Sequence, residues 1–165
     1  MKRILTSITL ADSKKDEHAA ALSGITGGCT WMITGTHDNY TLAISGNGVM
    51  EDHTHNNLAH GMKNAAADSK HFIHNGVTAI GNYAFYGCSG LNGVIIGKSV
   101  TAIGDLSFAY CRSLTAVTNL NPKPQSINSS VFEYVDTGNI VLIVPAGAVD
   151  DYKAAPVWSG FGNIE

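Results

Sequence analysis

The chain has 165 residues, of which 44% are hydrophobic, so it can bury one core and is most simply one elongated domain. Its formal net charge is −3 and only 14% of its residues are charged, which argues against nucleic-acid binding, since that calls for a basic stripe. No apolar run approaches the roughly 20 residues of a membrane-spanning helix, and three cysteines do not make a disulfide framework.

Residues 1–26 are predicted to form an N-terminal segment with a short helix over Ser13–Leu22. Ser13 suits the N-cap position of this helix and Gly24 suits its end. The first 13 residues have a basic start, but hydroxyl side chains interrupt the apolar stretch that follows, so they match a secretory signal peptide poorly.

The next part of the chain is predicted to contain a β-hairpin. Hydrophobic and polar residues alternate over Trp31–Thr34 and over Tyr40–Ser45, and the connection through residues 37–39 is polar. Beyond the hairpin, Asn56–Ala67 is interpreted as a short helix or an irregular loop.

Three histidines after the hairpin raise a metal-binding hypothesis: His53, His55 and His60. Side chains two residues apart share one face of a strand, and imidazole is a ligand for zinc, copper and nickel. No carboxylate or cysteine pattern completes a recognised site, so we interpret these residues as solvated loop histidines and expect neither a metal nor a cofactor. A metal- or small-molecule-binding accessory protein, glycans included, is the alternative function that this loop supports.

The strongest signal is an internal repeat. The segment Val77–Val94 reads VTAIGNYAFYGCSGLNGV and recurs 23 residues later as VTAIGDLSFAYCRSLTAV, with nine identical positions. A fixed period in the twenties is typical of solenoids, in which each coil stacks on the next because it cannot bury its own apolar edge alone. Gly81 and Gly104 are predicted to lie where the chain turns through a conformation that is costly for other residues.

The repeat also predicts which side chains are buried. Cys88 and Cys111 occupy the same coil position and are expected to stack as buried free thiols. The other positions expected to point inward in these coils are Leu91, Val94, Ile96, Val100, Ile103 and Phe108.

The repeated pattern V-T-x-I-G-x-x-x-F-x-x-C-x-x-L-x-x-V resembles the BspA-like leucine-rich repeat family of bacterial surface proteins. Thr30–Asp52 is similar to the hairpin cap that precedes the first coil in that family, and Ile143–Ile164 is similar to its terminal capping repeat. The resemblance implies a leucine-rich-repeat solenoid, mostly β with short helical or 3₁₀ turns. The hairpin cap is assigned to residues 27–68, and the coils with an aromatic C-terminal cap to residues 69–165, all in one continuous domain.

The rest of the chain is interpreted on the same period. His71–Ile73 aligns with Val94–Ile96 and is predicted to be the first coil's strand. The proline-rich segment Thr118–Pro124 is expected to bulge outward, and Ile127 and Phe132 restart the pattern one residue late. The last inward strand is expected at Ile140, Leu142 and Val144, and the open end is expected to be covered by Tyr152, Val157, Trp158 and Phe161.

No catalytic constellation is present in the sequence, so we expect no enzymatic activity. If Val94 and Ile96 point inward, then their neighbours point outward and form an apolar ladder across the stacked strands. The residues predicted to form this binding surface are Phe72, Gly93, Ile95, Ala116, Thr118, Val141 and Ile143. The family resemblance implies secretion or surface display and adhesion-type binding to host matrix or bacterial surface proteins, with self-association as a further possibility.

Overall fold

The computed structural model describes residues 22–36, 39–52 and 69–165. In this part of the chain most regular structure is β, in one sheet of eight strands and one of three. The single α-helix described there is α1 (Val149–Ala154), and short 3₁₀ turns lie at Ser129–Phe132, Thr137–Asn139, Ala146–Ala148 and Trp158–Gly160. The strands are β1 (Leu22–Thr26), β2 (Cys29–Thr36), β3 (Asn39–Gly46), β4 (Gly48–Val49), β5 (Ser69–Ile73), β6 (Val77–Ile80), β7 (Leu91–Ile96), β8 (Ala102–Ile103), β9 (Ala116–Asn119), β10 (Val141–Ile143) and β11 (Asn163–Ile164).

The predicted hairpin is confirmed. Strands β2 and β3 pair antiparallel from Cys29↔Gly46 to Thr36↔Asn39, so both are longer than their alternating patterns indicated. A third strand, β1, pairs antiparallel with β2. It begins at Leu22, the last residue of the predicted helix, whereas residues 13–21 of that helix lie outside the described residues, as does Asn56–Ala67.

The large sheet continues in parallel from the hairpin through the repeats, in the order β3-β5-β7-β9-β10-β11. The predicted strand alignment is confirmed, because His71 pairs with Val94 and Ile73 with Ile96. The next pair, Val94↔Val117, has the 23-residue offset of the repeat. Beside it, β4, β6 and β8 form the small parallel sheet, so neighbouring repeats pair at two places along each coil.

The predicted inward residues form the core. Phe85, Phe108 and Phe132 stack in sequence, with ring centroids 5.1 and 5.6 Å apart and planes inclined by 11° in both pairs. The repeat strands and the last inward strand contribute buried side chains on either side of these rings: Leu91, Val94, Ile96, Val100, Ile103, Leu114, Val117, Ile140, Leu142 and Val144. Phe132 follows Phe108 by 24 residues, which confirms that the pattern restarts one residue late.

The cysteines behave as predicted. Cys88 and Cys111 are buried free thiols, and the Cys111 Sγ donates a hydrogen bond to the Phe85 carbonyl oxygen at 3.2 Å. Burial raises the pKa of the Cys111 thiol well above its usual value, so the thiol stays protonated. These sulfur atoms fill space between repeats.

The prediction that Gly81 and Gly104 adopt a backbone conformation costly for other residues is wrong. Neither residue has a positive φ; the left-handed positions are Tyr83 and Gly87 in the first of these turns and Leu106 and Tyr110 in the second. Glycine is needed at 104 because a Cβ there would lie only 2.6 Å from the Asn82 backbone nitrogen. A Cβ on Gly81 would likewise meet the backbone of Glu51, so close approach between repeats selects glycine here.

The C-terminal residues pack on the last repeat. Trp158 is fully buried, lies 5.9 Å from Phe132 between ring centroids, and donates its Nε1 hydrogen to the Gln125 carbonyl at 2.8 Å. The Tyr152 hydroxyl donates to the Asn121 carbonyl at 3.0 Å. Pro122 and Lys123, at the tip of the proline-rich segment, are exposed. Tyr152 and Phe161 are buried, Val157 is partly buried, and β11 adds a final strand that the sequence did not predict.

Candidate interaction surface

The side of the large sheet opposite the core brings one residue from each repeat strand into a single row. Phe72 pairs with Ile95, Ile95 with Thr118, and Thr118 with Ile143. Their chain neighbours on both sides, such as Val94 and Ile96, are buried in the core. Because successive side chains of a strand point to opposite faces, this row lies on the outer face.

A second outer row runs beside the first and consists of smaller side chains. It joins Lys70, Gly93, Ala116 and Val141 in register. Between the two rows lies a shallow depression of about 190 Å³, lined by Lys70, Gly93, Val94, Ile95, Ala116 and Thr118. The seven residues predicted from the repeat therefore all occupy these two rows, and we call them the outer-face residues.

The outer-face residues differ in exposure. Ile143 is 40% exposed, whereas Phe72, Ile95 and Thr118 are half-buried because their neighbours in the row cover their sides. The Phe72 ring also stacks on the exposed His74 ring, with 6.4 Å between centroids. The surface is therefore an apolar ridge beside a depression, with the Lys70 ammonium at its margin.

The row extends onto the hairpin, which sequence reasoning did not foresee. Ala43 pairs with Phe72, and Met32, which is 47% exposed, pairs with Ala43. The hairpin strands are not copies of the repeat, so no fixed sequence spacing relates Met32 and Ala43 to Phe72. The repeat period therefore could not place these residues in the row. Their alternation within the hairpin strands was the one signal available.

The histidines of the metal hypothesis are not part of this surface. His53, His55 and His60 are outside the described residues. Within residues 22–36, 39–52 and 69–165, no three His, Cys, Asp or Glu side chains are grouped closely enough to hold a metal ion. The same residues contain no helix long and apolar enough to cross a membrane.

The repeats identify the family. Residues 64–145 match the family described as "BspA type Leucine rich repeat region (6 copies)". This part of the chain is a BspA-type leucine-rich repeat region. Proteins with such repeats are associated with protein interaction or adhesion, are often secreted or displayed at the cell surface, and are generally non-enzymatic.

A solved structure supports the fold. A leucine-rich repeat protein from Eubacterium ventriosum aligns with a TM-score of 0.50 and 17% identity, over 88% of this BspA-type chain and 40% of the other. At that identity the likeness shows the leucine-rich repeat fold alone, and this chain spans less than half of the other protein's length. No curated protein sequence matches the chain.

Proposed function

We propose that this BspA-type chain is a non-catalytic binding module that contacts a protein partner through its outer-face residues. The observation that carries the proposal is the register Phe72↔Ile95↔Thr118↔Ile143, which aligns three large apolar side chains outside the core. Contiguous apolar groups at a surface are typical of interaction sites, since each large one gains about 1.5–3 kcal/mol when it moves from full exposure to full burial.

The depression beside the row favours a partner that inserts an apolar side chain. Gly93 and Ala116 leave room above the sheet, and the nearest atoms to a Cβ built on Gly93 are 3.9 Å away. Lys70 is exposed at the margin, where a carboxylate of the partner would be placed favourably. A bacterial surface protein or a host matrix protein fits this chemistry, with a second copy of the chain as another source of the same groups.

The architecture we propose is a short solenoid with capped ends. The antiparallel strands β1–β3 close one end by pairing β3 with β5, and the aromatic residues around Trp158 cover Phe132 at the other. Capped ends leave the sheet face as the surface for contact. The face spans few repeats, so tight binding to a large partner requires several copies or a longer array. Secretion or surface display follows from this role.

A triple substitution of the apolar row tests the proposal. Phe72, Ile95 and Ile143 are changed to Ser together, and binding to immobilised matrix proteins and self-association by sedimentation are compared with the unaltered chain. Val49→Ser is the matched control, because Val49 is 54% exposed but lies on β4, in the other sheet. We expect association to weaken at least tenfold in the triple variant and to be unchanged in the control.

Two other results would count against the proposal. A folded triple variant with every association intact would show that the outer-face residues are not the contact surface. A triple variant that loses its near-UV circular dichroism would show that these side chains support the fold.

A further inference from the structure

The turns between the strands carry a second aromatic feature. Tyr86, Tyr110 and Tyr134 form a continuous row across three consecutive repeats, with ring centroids 5.2 Å and 4.4 Å apart. We call these three residues the tyrosine row. Tyr83 packs beside its first member at 5.6 Å, and the Arg112 guanidinium lies 5.6 Å from the centroid of the Tyr110 ring. The row belongs to the connections after β6, β8 and β9, so it is separate from the outer-face residues.

The backbone at these positions is held in a conformation that side chains disfavour. Gly87 has a φ of 71°, and the corresponding residues of the next two repeats, Tyr110 and Tyr134, have φ values of 61° and 58°. In that left-handed region a Cβ is strained, and glycine is the usual occupant. The backbone N–H of Gly87 donates to Ala109 at 2.8 Å and that of Tyr110 to Glu133 at 2.9 Å, which keeps the turns in register.

The second and third of these repeats therefore carry tyrosine at a position where glycine would be unstrained. The first repeat has glycine there and supplies a ring to the row from the preceding residue instead. Because Gly87 has no side chain, the ring of its neighbour Tyr86 occupies the place next to Tyr110. The left-handed conformation belongs to the turn, since Tyr83 and Leu106 also adopt it with φ values of 56°. The informative feature is that two repeats place tyrosine at a position where the first repeat has glycine, which points to a use for the side chain. Here the surface feature that these side chains maintain is an unbroken row of phenol rings.

The row offers hydroxyl groups and one largely exposed ring. Tyr134 ends the row and is 61% exposed, whereas Tyr86 and Tyr110 are half-buried by their neighbours. Desolvation and a hydrogen bond with Tyr134 raise the pKa of Tyr110, so its hydroxyl stays protonated. Arg112 adds further donors at the side of the row, and Glu133 is an exposed acceptor close by in the chain.

We infer that the tyrosine row is a saccharide-binding site. A sugar ring has apolar C–H faces that pack on an aromatic face, and hydroxyls that both donate and accept hydrogen bonds. The Tyr134 ring supplies the first kind of contact, and the Tyr110 and Tyr134 hydroxyl oxygens with Arg112 supply the second. Tyrosines held rigidly in a row lose little conformational freedom on binding, which favours recognition of a weakly charged, hydroxyl-rich ligand.

The geometry disfavours a proline-rich peptide, the other common ligand of exposed tyrosines. Such peptides insert their prolines into gaps between aromatic side chains. The rings of the tyrosine row are separated by 4.4 and 5.2 Å between centroids, which leaves no space for another ring to enter. A ligand must therefore lie along the row or cover its exposed end.

The test uses Tyr110→Gly and Tyr134→Gly, because glycine restores the residue that repeat one carries at Gly87 and removes strain. The unaltered chain and each variant are assayed by calorimetry against soluble oligosaccharides of defined linkage and by migration in gels containing polysaccharides. We expect saccharide binding in the unaltered chain and a loss of about tenfold or more in each variant, with melting temperatures at least as high. Val49→Ser is the control and should bind saccharide normally, since Val49 is exposed on β4 and belongs neither to the tyrosine row nor to the outer-face residues.

Several outcomes would overturn the inference. They are the absence of binding to every saccharide tested, saccharide binding that survives both glycine variants, and tyrosine-dependent binding of a proline-rich peptide in place of sugars. The result is independent of the proposed protein contact, because the triple serine variant of the apolar row and the glycine variants alter different surfaces.

Discussion

His71 is a polar residue in an apolar environment. Its ring is 1% exposed, lies 5.4 Å from the Phe85 ring between centroids, and has no hydrogen-bond partner for Nδ1. Val94 and Val117 occupy the same register position in the next two strands. A polar ring thus takes an apolar place in the first repeat, where the parallel sheet meets the hairpin.

Burial lowers the pKa of His71 to about 4, from an ordinary value of 6.5. The folded state then binds fewer protons than the unfolded state between these two values. The free energy of unfolding is therefore unaffected by His71 above about pH 6.5. It falls by roughly 3 kcal/mol as the pH drops toward 4, because the unfolded state then binds the proton that the folded state refuses. We predict that His71→Val removes this part of the pH dependence.

Urea denaturation at pH 7.5 and pH 4.5 measures the effect. The difference between the two free energies of unfolding should be smaller in His71→Val than in the unaltered chain. His74→Gln is the control, because His74 is exposed and should leave the difference unchanged. Equal pH dependence in all three proteins would show that His71 is not buried as a neutral ring.

The repeat cysteines give a second prediction for single residues. Cys88 and Cys111 are at most 2% exposed, so a thiol reagent reaches them only when the repeats open. Labelling should be slow in buffer and should become fast in denaturant. Fast labelling of either thiol in the native protein, followed by mass spectrometry of its peptide, would contradict their burial.

Where the turns of neighbouring repeats meet, the distance between their backbones determines which side chains fit. At Gly104 a Cβ would lie 2.6 Å from the backbone nitrogen of Asn82, and backbone cannot move aside cheaply. Gly104→Ala is therefore predicted to destabilise the protein by about 1–3 kcal/mol. Gly93→Ala is the matched control on strand β7, since its Cβ meets nothing closer than 3.9 Å. Equal melting temperatures for the two variants would disprove the close approach.

At the level of the C-terminal element, Trp158 holds the last repeat. It packs against Phe132, Tyr152 and Phe161 and is fully buried. Trp158→Ala should cost about 3–5 kcal/mol, a fall in melting temperature on the order of 10 °C. Trp158→Phe keeps part of the packing but leaves the Gln125 carbonyl without its donor, so its loss should be smaller. An unchanged melting temperature in Trp158→Ala would contradict this packing.

At the scale of the whole molecule, the packed core extends further along the chain than the family match does. The repeat match stops at residue 145, but Ala148, Tyr152, Trp158, Phe161 and Ile164 beyond it are all buried. We predict that a chain ending at Pro145 exposes Phe132 and Leu142, loses its cooperative thermal transition and self-associates. Calorimetry and size-exclusion chromatography measure both effects. A monomeric truncated chain with a sharp transition would show that residues 146–165 are dispensable.

The sequence by itself determined the repeat fold, the buried side chains and the alignment of the outer-face residues. A strict period forces equivalent positions of consecutive coils onto the same row, so one offset gives both the core and its opposite face. Features outside the repeat period were evident only from the tertiary structure. They are strands β1 and β11, which pair through backbone groups, and the extension of the outer row to Met32 and Ala43. Tertiary structure also decided the tyrosine row, whose members come from two different repeat positions. They meet because the turns stack in contact, and a ring from a neighbouring position fills the place that Gly87 leaves open.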